Sequence, residues 1–330
     1  MKIRILIVIA LSAVISNTRP AMAQNSQAKI TLHLITDEGQ ILKKFPCGAG
    51  SWKTNLLNPN DNTASVDGIT DENGNATFTL PCSFPEVTIG TKYNISGFYR
   101  NEQKYHFTNV VSGKLQPWNP TVDVVVKPIL NPIAMYAKIV TEPKEFSNTL
   151  QETNTTIGFD LEAGDWVSPY GKGNVSDFIF TMKVKTPYSS MTQPYDAVWT
   201  LSFTNKGDGI QSLLVPKNID SAMRLPRYAP EGGYQPTLVQ EISYDGKQWT
   251  KGAVGENQNY FFRVRTVLDA SGKVKSALYG KIDGPIECAQ VFRLQFTYYL
   301  NPSPNDRNME FDPKKNLFQN LTDDQQVKAP

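Results

Sequence analysis

Two histidines, three cysteines and 31 acidic side chains are what this chain of 330 residues offers for catalysis or metal binding. A zinc site needs three or four Cys, His or carboxylate ligands, usually at short spacing. His33 and His106 stand far apart in the sequence, and no H-E-x-x-H, C-x-x-C or H-x-H is present. No metal site and no cofactor are therefore expected. A nucleophile elbow would read G-x-S-x-G; in Gly48-Ala49-Gly50-Ser51-Trp52 a serine follows glycines in the wrong order. A Ser-His-Asp set would have to use His33 or His106. P-loop and dinucleotide fingerprints are missing. Paired carboxylates remain, since glycosidases place two of them about 5–10 Å apart and need no histidine. Asp160, Glu162, Asp165, Asp208 and Glu231 lie near aromatics or glycines and are the candidates. Their ordinary reading is solvated loop acids between strands.

Aromatic side chains suggest binding. Trp118 sits between prolines in Gln116-Pro117-Trp118-Asn119-Pro120, and Trp166 and Tyr170 flank Pro169. A Trp or Tyr on a stiff loop presents a large area at small entropic loss; the alternative is a Trp in the core of a sandwich. Asp71 and Asn73 offer oxygens in front of Gly74, as a calcium loop would. Ile69 holds the first ligand position, and no glutamate closes the loop. The expected role of Asp71 and Gly74 is a chain reversal: the carboxylate accepts backbone N–H groups and the glycine takes the left-handed conformation.

These residues must be carried by strands. Ile30, Leu32 and Leu34 alternate with Thr31 and His33, the period of a strand with one buried face. Ala76–Leu80, Thr121–Val126, Ser176–Lys185, Ala197–Phe203, Tyr260–Thr266 and Val291–Tyr299 read the same way, and Phe45–Leu57 is a further strand region. Lys92–Tyr99 and Lys104–Val111 read as a hairpin turning at Arg100–Gln103. Gly, Pro, Asn and Asp clusters separate the segments, and no amphipathic helix precedes residue 130. The pattern predicts an all-β chain of two sandwich modules. One module covers residues 29–128, a linker 129–153 and a second β domain 154–300. Residues 301–330 form an extended tail, disordered from Leu321 onward.

The first 23 residues read as a secretory signal: Lys2 and Arg4, then apolar Ile5–Ile15, then Ala21-Met22-Ala23 as a cleavage site. No later stretch is apolar over the ~20 residues a membrane span needs. Export would permit disulfides. Cys47 opens one strand region and Cys82 closes another. Antiparallel neighbours would bring the two together and leave Cys288 alone; the alternative is three free thiols.

The order Asp37-Glu38-Gly39, Gly48-Ala49, then Gly68, Thr70, Asp71, Gly74 and Phe78 resembles carboxypeptidase regulatory-like domains. That resemblance implies a transthyretin-like β-sandwich over residues 29–128, a module that accompanies other domains without peptidase activity of its own. The second half resembles fibronectin type III or immunoglobulin-like modules through Tyr260–Arg265. The segment "NPSPNDRNMEFDP" is similar to one in uncharacterised secreted bacterial proteins.

A net charge of +2, without a basic run longer than two residues, argues against a nucleic-acid surface. The expected function is a secreted or periplasmic, non-enzymatic binding or structural protein. Its partner is extracellular or in the envelope, carbohydrate and protein both being candidates. The alternatives are a carboxylate-pair glycoside hydrolase and a purely structural surface component.

Overall fold

The structure is a computed structural model that describes residues 26–52, 63–92, 95–141, 155–187, 189–190, 192–216, 219–251, 257–288 and 294–330. The signal segment 1–23 lies outside the described residues, as do positions 142–153 of the expected linker and 291–293 of the last expected strand. Among the described residues there is no helix, and the chain is all-β.

The first half contributes β1 (Ser26–Thr36), β2 (Pro46–Trp52), β3 (Thr63–Ile69), β4 (Asn75–Cys82), β5 (Glu86–Thr91), β6 (Asn101–His106), β7 (Asn109–Val111), β8 (Lys114–Gln116) and β9 (Thr121–Val126). The second half contributes β10 (Ile133–Val140), β11 (Thr155–Asp160), β12 (Asp165–Trp166), β13 (Phe178–Thr186), β14 (Tyr195–Ser202), β15 (Gly209–Leu214) and β16 (Ile219–Ser221). It continues with β17 (Thr237–Tyr244), β18 (Trp249–Lys251), β19 (Gln258–Leu268), β20 (Val274–Ile282), β21 (Glu287–Cys288), β22 (Leu294–Asn301) and β23 (Phe311–Asn316).

In the first module, β4, β1, β8 and β7 with β9 face a sheet ordered β16-β6-β5-β2-β3. The inward residues of β1 and β4, Ile30, Leu32, Leu34, Phe78 and Leu80, pack with Cys47, Ala49, Val87 and Ile89 from the other sheet. Alternation on β1 turns Thr31 and His33 to the face opposite Ile30, Leu32 and Leu34, as the sequence predicts, and Thr31 is covered there beside Thr77 and Asn119. The Arg100–Gln103 turn is corrected. Asn101, Glu102 and Gln103 lie inside β6, between β5 and β16. Of the three, Glu102 lies beside Gly90 on the outer face, whereas Asn101 is buried and donates through Nδ2 to the Val125 carbonyl of the facing sheet.

In the second module, β12-β11-β13-β14-β17-β18 packs against β15-β19-β20-β22-β10-β23. Phe159, Phe178, Phe180, Phe262, Phe296 and Tyr298 fill the space between, with rings edge to face or tilted at 5.0–5.9 Å. The second of these sheets is covered on its other face too. Met135, Ala137 and Tyr299 meet Phe311 and Val327, while Phe261, Ala277 and Tyr279 meet Ala229 and Met309.

Three expected boundaries change. Ile133–Val140, assigned to the linker, is β10, antiparallel to β22 and parallel to β23. Residues 301–330 are no loose tail. They supply β23, and past residue 321 the Gln325 carbonyl accepts from Ile139 N–H and the Ala329 carbonyl accepts from the Tyr299 hydroxyl. Finally, β16 from the second half pairs with β6 in the first module's sheet.

Candidate functional site

The Gly68, Thr70, Asp71 and Gly74 motif of the first module serves its own backbone and core. A side chain at Gly68 would run into the Phe78 ring, 2.9 Å from a Cβ built there. The Thr70 hydroxyl accepts from Phe45 N–H at 2.9 Å and donates to the Leu42 carbonyl at 2.5 Å. Asp71 Oδ1 accepts the N–H groups of Asn73 and Asn75, at 2.8 and 2.9 Å. Gly74 has φ +76° and sits against Ile41 and the Leu34 carbonyl. The expected reversal at Asp71 and Gly74 thus has the geometry of an Asx turn.

The expected disulfide is corrected. Cys47 and Cys82 are both buried free thiols. Their strands belong to opposite sheets, and Ser51 near the end of β2 donates to the Pro81 carbonyl near the end of β4. The two strand ends are therefore neighbours. Cys47 lies four residues back along β2, about 13 Å at ~3.3 Å per residue, beyond the ~7 Å Cα separation a bridge allows. Burial pushes the Cys47 thiol up to about 11, with Asp67 adding to the rise and Lys92 opposing it.

The candidate acids are engaged in structure. Asp160 Oδ1 accepts from Glu162 N–H, Ala163 N–H and Arg265 Nη2; its Oδ2 accepts from Asn174 and Val175 N–H, all at 3.0–3.2 Å. Burial pushes its pKa up, but these amides and Arg265 together outweigh that and leave it below the usual carboxylate range. Arg265 also grips both oxygens of buried Asp177, each at 2.9 Å, and pairs with Glu162. It does so from a β-bulge in β19 with φ +52°, a left-handed turn that re-aims its side chain. Asp165 accepts Trp166 and Lys172 N–H, Asp208 accepts Thr266 and Asn205 N–H, and Glu231 pairs with Arg307. The histidines lie on different sheets: His33 Nδ1 meets Asp123 at 2.8 Å, and His106 lies 3.4 Å from Glu86.

The three candidate binding aromatics do not converge. Trp118 is half-buried at the end of the β1 sheet, its ring 5.0 Å from the Lys114 ammonium. Trp166 belongs to the core of the second module: it is 5% exposed, packs edge-on to Phe159 and donates through Nε1 to the Thr141 carbonyl. It is corrected to a core residue. Tyr170 is partly buried against that same core.

A concave site does exist elsewhere, on the outer face of the β3-β2-β5-β6 sheet, with a volume of about 260 Å³. Strand register builds it. Asp67, Gly48, Gly90 and Glu102 form one row across four strands; Ser65, Gly50 and Thr88 form the next. Cys47, Ala49 and Ser51 point inward, so the glycines at 48 and 50 fall on the outer face and leave a floor without side chains. Asp67 and Glu102 stand on either side. Lys92 pairs with Asp67, and Arg100 with Glu102. The sequence signal for this floor was present in Gly48-Ala49-Gly50: glycine at alternate positions inside a strand marks a close approach.

A second polar constellation joins the modules. Glu310, fully buried, accepts from the Tyr99 hydroxyl and Leu130 N–H through Oε1, and from Asn131 N–H through Oε2, each at 2.9 Å. Arg227 Nη1 lies 2.5 Å from Oε2, and its Nη2 donates to the Pro128 carbonyl. Burial pushes the Glu310 pKa up, but Asn131, Arg227, Leu130 and Tyr99 outweigh it and hold the carboxyl below its ordinary value. Lys127 donates to the carbonyls of Arg224 and Leu225, and burial brings its pKa down to about 8. In "NPSPNDRNMEFDP", Asn301 Nδ2 staples the segment to itself through the Asp306 and Asn308 carbonyls, and Asn308 Nδ2 ties it to the Asn131 carbonyl at this seam. That segment is a clamp.

No family model and no curated protein matches the chain. Among solved structures, it is similar to a DUF3823 family protein from Parabacteroides merdae. The identity is 10%, the TM-score 0.21, and the match covers 83% of this chain and 96% of that one.

Proposed function

We propose that this chain is a non-enzymatic binding protein that works outside the cytoplasm and holds an extracellular or envelope partner on its first module. The N-terminal Lys2–Ala23 pattern supports the location. The first module is, on this reading, a carboxypeptidase regulatory-like sandwich, supported by the Gly68–Phe78 turn and its Asx geometry. One observation carries the binding role. The five candidate acids are tied to backbone amides or arginines, whereas the cleft over Gly48, Gly50 and Gly90 is open and walled by charged and hydroxyl side chains. A shallow cleft with a glycine floor and a rim of Asp67, Glu102, Lys92, Ser65 and Thr88 combines an apolar base with a few hydrogen-bonding groups, the mixture that fixes a ligand's orientation.

The test is binding of the purified protein to envelope fractions and to glycan arrays. Retention on either supports the reading, and clean negatives on both count heavily against it. Hydrolysis of any polysaccharide in a panel, lost in Asp165→Asn or Glu162→Gln, would replace it with the hydrolase reading.

A further inference from the structure

We propose that the cleft on the outer face of the β3-β2-β5-β6 sheet takes a neutral, hydroxyl-rich ring, a sugar residue of a glycan, laid flat between Asp67 and Glu102. The proposal rests on the binding role above and names its ligand class. Three observations lead to it.

The backbone under the cleft is already paired. β2 is bonded to β3 on one side and β5 on the other across Gly48 and Gly50. An extended peptide would find no free N–H or C=O row, so strand addition is closed here. The wall charges occur as pairs, Asp67 with Lys92 and Glu102 with Arg100. A ligand with net charge of either sign gains little from such a rim. What the rim offers is carboxylate acceptors, an ammonium donor and the hydroxyls of Ser65 and Thr88 in alternation around a small floor. A sugar hydroxyl is both donor and acceptor, and neighbouring hydroxyls on one ring match that alternation.

Gly50 supplies the third observation. A Cβ built there meets nothing closer than the Ala64 carbonyl at 3.7 Å, an ordinary contact. Its φ is not in the left-handed region either. Gly90 differs, because a Cβ there would run into the Asn101 carbonyl, and Gly48 is tight at 3.1 Å from the Val66 carbonyl. Packing explains those two glycines and leaves Gly50 unexplained. A side chain at 50 would rise from the floor into the cleft, so glycine keeps that space for the C–H face of a ring.

The experiment uses the full chain. Uncharged hexose and N-acetylhexosamine oligosaccharides, an acidic oligosaccharide and an unrelated extended peptide are titrated by calorimetry and amide NMR. The wild type, Gly50→Ala and Gly50→Leu are compared, with urea midpoints taken for each. The expected result is binding of a neutral oligosaccharide that shifts the Gly48, Gly50 and Thr88 amides. Gly50→Leu should weaken it at least about tenfold, and Gly50→Ala should keep a urea midpoint equal to or above wild type. If only the acidic sugar or the peptide shifts those amides, the sugar class is overturned and the binding role of the cleft stands. If a neutral sugar binds wild type and Gly50→Leu alike, or nothing shifts the cleft amides, the cleft loses its role as well. A lowered Gly50→Ala midpoint would show that the fold itself needs this glycine and remove the third observation.

Discussion

Lys281 is 1% exposed, on the strand β20 between the two small clusters that back the β19-β20-β22 sheet. Its ammonium lies 4.4 Å from the centroid of the Tyr299 ring. Burial brings its pKa down from 10.5 to about 8; Asp283 and Glu310 resist the fall and Lys127 adds to it. A fall of about 2.5 at ~1.4 kcal/mol per unit means that charging Lys281 inside the protein costs roughly 3 kcal/mol. The Tyr299 ring returns up to about 2 kcal/mol of that as a desolvated cation–π contact. Lys281→Met keeps the length of the stem, fills the same space and removes the charge. It should therefore stabilise the protein by about 1–3 kcal/mol at pH 7, in line with apolar replacements of buried charges. The pH dependence has a definite sign. Between about pH 8 and 10.5 the unfolded chain holds a proton on Lys281 that the folded chain has released, so wild-type stability rises with pH across this window. Lys127 titrates in the same window in both proteins, and its pKa should rise once its cationic neighbour is gone. The assay is urea unfolding of both proteins at pH 7, 8.5 and 10. The advantage of Lys281→Met should shrink as pH rises. A variant less stable than wild type by more than about 1 kcal/mol at pH 7, with unchanged fold, would refute the reasoning and show a favourable ionic role for Lys281.

Other perturbations follow from the engaged acids and turns. Glu310→Ala leaves the buried Arg227 guanidinium with Asp37, 3.7 Å away, as its remaining carboxylate, and should lower stability by about 3 kcal/mol in urea unfolding. Because the folded Glu310 pKa lies below its unfolded value, its contribution is complete above the unfolded value near 4.5 and is lost as pH falls through the folded one. A Glu310→Gln protein should accordingly lose less stability on acidification than wild type. Arg265→Ala leaves Asp160 and Asp177 without their cation and should cost about 3–5 kcal/mol by the same assay. Gly74→Ala meets both a left-handed φ and a 2.8 Å contact with Ile41, so a loss above ~1 kcal/mol is expected in thermal or chemical unfolding. Cys47 and Cys82 should alkylate only after denaturation, and peptide mapping without reductant should show no bridge between them.

Strand alternation made much of the fold legible. Ile30-Thr31-Leu32-His33-Leu34 announces β1 and its buried face, and Thr121–Val126 gives β9 to the residue. The C-terminal segment was opaque because it does not alternate. Its prolines and charges resemble a tail, yet Asn305, Asn308 and Glu310 bond backbone groups at long range, and no local period records that. The Cys47–Cys82 expectation failed on pairing: two strands that face each other across a core cannot be told by sequence from two that share a ladder. Trp166 failed for a related reason, since a prolyl loop beside a Trp does not say on which side of the sheet the indole turns. The cleft was written in Gly48 and Gly50, but only the register with Asp67, Gly90 and Glu102 shows what they open.

The parallel pairing of β10 with β23 has a consequence for how the molecule comes to exist. Ile133 finds Phe311 as its partner, so a ribosome must deliver the chain past residue 311 before that ladder can close. Contacts between such distant parts of a chain form slowly. Until they form, the back of the β19-β20-β22 sheet lacks part of its cover and Tyr99 lacks its carboxylate. A product ending at residue 300 should therefore behave as an arrested intermediate, prone to clump, and not as a trimmed version of the folded molecule.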